Sequence, residues 1–208
     1  FTAYGVDVSM KASWKKLTGN DSLSGVKVAV QGTGHVGQFL IDHLMSEQAI
    51  VSIADIKQAN LELVTSKYSA IQVVAPNDIA TSDVDVYSPC ALGATLNASS
   101  IPLLKCKVVC GAANNQLKDE VVDGDAIMQR GILYAPDFLI NAGGVINCYI
   151  EAIGEYSKEK TMHFIEPIYN KVIEIIDKSE KDHINQQLAA MAIAKDRIKQ
   201  AKSKLMAN

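Results

Sequence analysis

The sequence predicts an α/β fold, a doubly wound parallel sheet flanked by helices and followed by further helices at the C-terminus. Three observations carry that prediction. An apolar run breaks into a glycine-rich turn over residues 26–37, short apolar runs then alternate with helical patterns as far as residue 134, and long amphipathic patterns follow residue 157. The 208 residues suit one large domain with a full core.

Val6, Met10, Trp14 and Leu17 recur at helical spacing, and Gly19-Asn20-Asp21 closes that first helix. Val26, Val28 and Val30 supply the β-branched run of a buried parallel strand. Gly32 then permits a tight turn, Gly34 lets the backbone approach a pyrophosphate with no Cβ in the way, and Gly37 lets the helix over 38–45 pack closely on the strand. Glycines mark any turn, so the string alone is weak. Its context is what makes it specific: a strand precedes it, a helix follows, and a second apolar run over 50–54 ends in Asp55. An acid about 20 residues past the glycines is placed to accept from both hydroxyls of an adenosine ribose and to repel a 2′-phosphate. The stretch is therefore a dinucleotide site of Rossmann type, and the cofactor it predicts is NAD rather than NADP. Ile56 adds no positive charge, and Lys57 is the one nearby cation.

Residues 56–70 fit a helix with Leu61 and Val64 on one face, 71–74 a strand, and 76–79 a loop or helix start. A fourth strand over 84–87 runs into the small-residue loop 88–94, which holds Cys90 and Ala91. That loop lies where the strand order reverses and so faces the ligand crevice, although an ordinary Pro/Gly connection explains the same letters. Asn97 can cap a short helix through 104, and 107–110 form a fifth strand. At its end Asn114 and Asn115 offer amide donors and acceptors to the crevice, or simply start the next turn. A helix over 125–130 ends at Gly131, and 132–134 make the sixth strand. Asn141 is poised to cap a helix running through Tyr156, facing the same crevice. Residues 157–206 hold two long amphipathic helices, with Phe164, Ile168, Val172 and Ile175 striping the first and Leu188, Met191, Ile198 and Leu205 the second.

Composition excludes several classes. A net charge of −3 with both signs dispersed gives no basic footprint for nucleic acid and no polybasic membrane patch. No apolar stretch approaches a membrane span and the first residues lack the form of a signal peptide, so the cytoplasm is the default compartment. Cys90, Cys106, Cys110 and Cys148 have neither zinc nor disulfide rhythm, and His163 and His183 lack partners at ligand spacing, so no metal is assigned. A chain this well patterned that opens on Phe1 is expected to be a fragment or to have a processed terminus.

Four strings, at 28–37, 88–93, 111–117 and 135–147, together resemble the nucleotide-binding half of the glutamate, leucine, phenylalanine and valine dehydrogenases, most closely the leucine enzymes. The resemblance implies an NAD-binding domain over 1–183 and a C-terminal helix, 184–208, that returns toward an amino-terminal catalytic domain. It implies reversible oxidative deamination, in which the α-hydride of an apolar amino acid passes to NAD and a 2-oxo acid and ammonia result. It also implies roles. Gly32, Thr33, Gly34, His35, Val36 and Gly37 match the cofactor turn, and Asp55 and Ile56 the adenosine ribose contacts. Cys90, Ala91, Ala112 and Ala113 match backbone walls near the nicotinamide ribose, while Thr2 and Asn141 match groups near the carboxamide and Asn114 a further cofactor contact. Asn115 matches a ligand of the substrate carboxylate, and Val145 and Cys148 line the side-chain pocket. His35 stands where relatives usually carry asparagine, and Cys148 where leucine enzymes usually carry valine. The lysines and aspartate that relatives use for proton transfer lie in a Gly-Gly-Gly-Lys setting that this chain lacks, so no catalytic residue is assigned to it. The full-length protein is expected to be a homo-oligomer acting on a small amino acid. Two alternatives stand beside it, a non-catalytic NAD-sensing domain and a phenylalanine or tryptophan dehydrogenase; a sensor has no need of asparagines at 114, 115 and 141 facing a second ligand.

Overall fold

The computed structural model describes residues 1–206, with side chains through residue 203. The strands are β1 (Lys27–Gln31), β2 (Ile50–Ala54), β3 (Gln72–Val73), β4 (Val86–Pro89), β5 (Val108–Val109) and β6 (Leu133–Tyr134). They form one parallel sheet in the order β3-β2-β1-β4-β5-β6. This is the doubly wound Rossmann arrangement that the sequence predicts, with its topological switch between β1 and β4, where Gln31 lies beside Pro89.

Alternation along the strands divides the core. Val28, Val30, Val86 and Val108 point into a cluster covered by α1 (Thr2–Thr18), α2 (His35–Ser46) and α8 (Ile168–Asp182). Ala29, Tyr87, Val109 and Tyr134 point to the other face, under Leu96, Ile101 and Ile127. The continuous apolar lettering of β1 follows from this burial on both sides: Val28, Ala29 and Val30 are all fully buried. Along α1, Val6 and Met10 are buried, Trp14 is half-buried and Leu17 is exposed as the helix leaves the core.

Several elements differ from the sequence expectation. α3 (Gln58–Lys67) is shorter than 56–70 but buries Leu61 and Val64 as expected. Asn97 caps a turn rather than a helix: its Oδ1 accepts from the N–H groups of Ser99 (3.0 Å) and Ser100 (3.2 Å), and only a 3-10 turn, Ile101–Leu103, follows, with Pro102 inside it. α4 (Val122–Gln129) starts three residues earlier than expected and is closed by Gly131 at φ 69°. α5 (Asp137–Ile140) is a single turn, and α6 (Gly143–Ala152) ends before Tyr156, whose ring instead packs edge-on against Phe1. The C-terminal region has three helices instead of two. α7 (Lys158–Ile165) and α8 are separated at Pro167, and α9 (Gln186–Met206) follows a left-handed turn at His183, φ 56°. Ile168, Val172 and Ile175 are buried on α8, whereas Phe164, on the other side of the break, is exposed. On α9, Leu188 and Met191 are half-buried and Ile198 is exposed; the side chain of Leu205 lies outside the described residues.

Candidate dinucleotide site

The glycines of the β1–α2 turn fall into two kinds. Gly32 and Gly37 are required by the chain itself. Gly32 sits at φ 98° with a Cβ position 2.8 Å from the Ala91 Cβ, and a Cβ on Gly37 would lie 2.1 Å from the Gly32 carbonyl oxygen. Gly34 is different: its φ of −69° suits any residue, and a Cβ there would meet no protein atom within 4 Å. Nothing in the fold demands glycine at that position, and the demand fits the close approach of a ligand. Gly34 opens α2, whose N-terminus has no side-chain cap, so its first N–H groups and the positive end of its dipole are available to an anion. His35 is exposed and stacks edge-on against Phe39, with ring centres 5.0 Å apart, and Val36 is half-buried against the core.

At the end of β2, Asp55 is held by four donors. Its Oδ2 accepts from Thr33 N (2.7 Å), Thr33 Oγ1 (3.0 Å) and Asn60 Nδ2 (3.2 Å), and its Oδ1 from Lys57 N (2.8 Å). Burial pushes the carboxyl upward, but the bonds from Lys57, Thr33 and Asn60 together outweigh it and hold Asp55 below its ordinary value. Thr33 is fully buried, and its hydroxyl turns to Asp55. With Oδ2 occupied by three donors, the free lone-pair capacity of Asp55 lies mainly on Oδ1.

Gly32, Gly34, Asp55, Ile56, Cys90 and Ala91 line a single cleft of about 350 Å³, together with Gln31, Lys57, Asn60, Pro76 and Leu92. The cleft runs across the switch point, between the loops that leave β1, β2 and β4. Cys90 ties the β4 loop to the next one, because the N–H of Ala112 points at its Sγ from 3.5 Å; burial pushes the Cys90 thiol up.

A second group gathers at the ends of β5 and β6. Asn141 does not cap α6, which has no side-chain cap. It ends α5, and its Nδ2 donates to Asn114 Oδ1 (2.5 Å) and more weakly to the Ala112 carbonyl (3.4 Å), because the loops after β5 and β6 lie side by side. Asn115 is exposed in the left-handed region at φ 52°, so it shapes the turn as well as facing outward. Ala113 is buried and Ala112 half-buried. Thr2, at the start of α1, meets the start of α6: a Cβ on Gly144 would lie 2.8 Å from its Oγ1. Val145 is 74% exposed and Cys148 is also exposed, three residues apart on one side of α6.

The sequence reading missed three residues that build these loops. Asn60 belongs to the cleft wall. Buried Gln116 braces the turn after β5, donating from Nε2 to the carbonyls of Gly111 (2.6 Å) and Ala113 (2.9 Å), and its N–H donates to Asp137 Oδ2 (3.0 Å). Asp137 Oδ1 accepts in turn from Phe138 N (2.7 Å) at the start of α5, a position that the Pro136-Asp137 pair signals as a helix opening. Among the described residues no group of three or more His, Cys, Asp or Glu could hold a metal ion, and no helix is long and apolar enough to cross a membrane.

Comparison with known proteins agrees with this geometry. The profile of the Glutamate/Leucine/Phenylalanine/Valine dehydrogenase family matches residues 1–205. Leucine dehydrogenase from Thermoactinomyces intermedius is 45% identical over 197 residues, which is 95% of this chain and 53% of that protein. The crystal structure of L-tryptophan dehydrogenase from Nostoc punctiforme superposes with a TM-score of 0.92 at 39% identity, covering 97% of this chain and 60% of that one. A hetero-hexameric glutamate dehydrogenase from Thermus thermophilus shares the fold at 20% identity and a TM-score of 0.75, over 97% of this chain and 53% of that one. The chain thus spans little more than half the length of the relatives it matches. From the glycine turn to the asparagines beside β5 and β6, it belongs to the glutamate/leucine/phenylalanine/valine dehydrogenase family.

Proposed function

We propose that this chain is the NAD-binding half of an amino-acid dehydrogenase that deaminates an apolar L-amino acid to a 2-oxo acid and ammonia, with leucine favoured. One observation carries the cofactor assignment: an ionised Asp55 and an uncapped helix N-terminus face one cleft through a glycine, Gly34, that the protein's own packing does not require. The residues fit a dinucleotide. The N-terminus of α2 at Gly34, His35 and Val36 would hold the pyrophosphate, and Asp55 beside Ile56 would hold the adenosine ribose. Cys90, Ala91, Ala112 and Ala113 would wall the nicotinamide ribose, Thr2 and Asn141 would fix the carboxamide, and Asn114 would make a further cofactor contact. NAD, when bound, supplies the hydride acceptor.

Asn115 would hold the substrate carboxylate, and Val145 and Cys148 would face its side chain. Both pocket residues are apolar, and burying an unpaired substrate carboxylate against them would cost several kcal/mol, which disfavours glutamate. The groups that move protons would come from an amino-terminal domain, with the segment 184–208, which carries α9, returning toward it from the domain over 1–183. The whole protein would be a cytoplasmic homo-oligomer. Leucine, valine, phenylalanine, tryptophan and glutamate compared by kcat/KM on the full-length protein, with and without Cys148→Val, test this reading. A shallow ranking among aliphatic substrates is expected, since one methylene is worth about 1–3 kcal/mol. A strong preference for glutamate would refute the pocket, and one for tryptophan or phenylalanine would discard leucine while keeping the mechanism.

A further inference from the structure

Asp55 does not stand alone at the end of β2: its Oδ2 is consumed by the protein. Three donors converge on that one atom: two from Thr33, which is buried in the β1–α2 turn, and one from Asn60, in the first turn of α3. The Thr33 pair ties the acid to the glycine turn. The Asn60 bond comes from α3, from a half-buried side chain that also lines the cleft. A carboxylate held by the turn and by α3 cannot rotate about χ2 without breaking bonds to both. Its orientation is thereby fixed, and Oδ1, with a single bond from Lys57 N, is the oxygen left for a ligand.

Resting on the NAD reading above, we propose that Asn60 is a positioning residue for cofactor recognition: it locks Asp55 so that Oδ1 is presented to one ribose hydroxyl in the cleft. The backbone N–H of Asn60 donates to the Lys57 carbonyl (3.0 Å) at the start of α3, a bond that a side-chain substitution keeps. Asn60 lies near the start of α3, where Gln58, Ala59 and Leu63 are exposed, and it is not part of the packed core, which α3 enters through Leu61 and Val64. Its only side-chain bond among the described residues is the one to Asp55. Lys57 is the other charged residue lining the cleft, and it contributes its backbone N–H to the acid. A positional role therefore predicts a signature distinct from that of lost stability. Removing the amide should leave Oδ2 to its Thr33 bonds alone, loosen the orientation of the carboxylate, make it easier to protonate and weaken NAD binding, while the folded state is kept.

Two measurements on the 208-residue chain test this. The first needs no cofactor: the Asp55 carboxyl is titrated by carbon-detected NMR in the wild type, Asn60→Leu and Asn60→Gln. The Asp55 midpoint is expected to rise by about half a unit in Asn60→Leu and to return toward the wild-type value in Asn60→Gln, which restores a donor. The second is calorimetric titration with NAD. Asn60→Leu is expected to bind about three- to tenfold more weakly, with the acid limb of binding displaced to higher pH and the thermal midpoint unchanged. An unmoved Asp55 midpoint overturns the proposal whatever the chain binds. A moved midpoint with unchanged NAD affinity overturns the recognition role. Wild-type chain that binds no NAD, with the midpoint still moved, refutes the NAD reading and the recognition role together while leaving the Asn60–Asp55 bond established.

Discussion

Replacing Asp7 with asparagine should stabilise the protein at neutral and alkaline pH, and by an amount that can be worked from its surroundings. Asp7 lies on the buried side of α1 and is 2% exposed. Its Oδ1 has no hydrogen-bond partner among the described residues, and its Oδ2 faces the Lys11 ammonium at 3.7 Å. That ammonium is engaged by Glu47, whose carboxylate repels a charge on Asp7. Burial first, and Glu47 second, push the Asp7 carboxyl from 3.8 to about 7 against the pull of Lys11. Between those two values the folded chain holds a proton that the unfolded chain has released. The contribution of Asp7 to stability is therefore fully present below the unfolded value and is lost as pH rises through the folded one, at about 1.4 kcal/mol per unit and about 4 kcal/mol over the window. Asparagine does not titrate. The difference in unfolding free energy between Asp7→Asn and the wild type, from urea melts at steps between about pH 4 and about pH 8, should climb across that window and level off above it. A difference that stays flat, or a variant less stable than wild type at about pH 8, would refute the reasoning.

Two further outcomes follow from packing and exposure. Gly37→Ala would set a Cβ against the Gly32 carbonyl, backbone against backbone, and should cost about 3 kcal/mol or more in a thermal or urea melt; a loss under about 1 kcal/mol would mean that the turn and α2 can separate freely. Of the four cysteines, only Cys148 is exposed, whereas burial pushes Cys106 to about 11 and raises Cys90 and Cys110. Mass spectrometry after brief maleimide treatment at about pH 7 should find Cys148 modified first, and a rapid adduct at Cys106 or Cys110 would contradict their buried placement.

The parts of the fold that the letters reveal are those whose demands are local. β1, the turn and α2 are legible because a doubly buried strand needs β-branched residues and because Gly32 and Gly37 each answer a backbone contact within a few residues or one strand away. Asp55 is legible through its distance from that turn. What surrounds Asp55 is not, since Thr33 reaches it only once β1 and β2 pair, 22 residues apart in sequence. The same holds for Gln116 and Asp137, separated by 21 residues and joined where two loops meet. Asn141 shows a local signal overruled: an asparagine before a helix is a good cap, but here its amide donates to Asn114 on the neighbouring loop and α6 starts without a side-chain cap. The C-terminal misreading has a simpler cause. Phe164 and Ile168 share helical spacing across Pro167, and the periodicity hides a break that the proline imposes. Val145 and Cys148 carry no geometric signature in this chain, because the side of α6 that bears them is open.

The account stands most directly on calorimetric titration of the 208-residue chain with NAD, beside Gly34→Ala and Asp55→Ala. Gly34 has an ordinary φ and open space where a Cβ would go, so alanine there should leave stability within about 1 kcal/mol while its methyl group obstructs the pyrophosphate. Asp55→Ala removes a charge-assisted bond worth about 1.5–3 kcal/mol, or roughly tenfold or more in affinity. The prediction is one NAD bound per chain, NADP bound more weakly, and NAD binding reduced at least tenfold in both folded variants. Equal binding of NAD and NADP, or full NAD affinity retained by either variant, would contradict it.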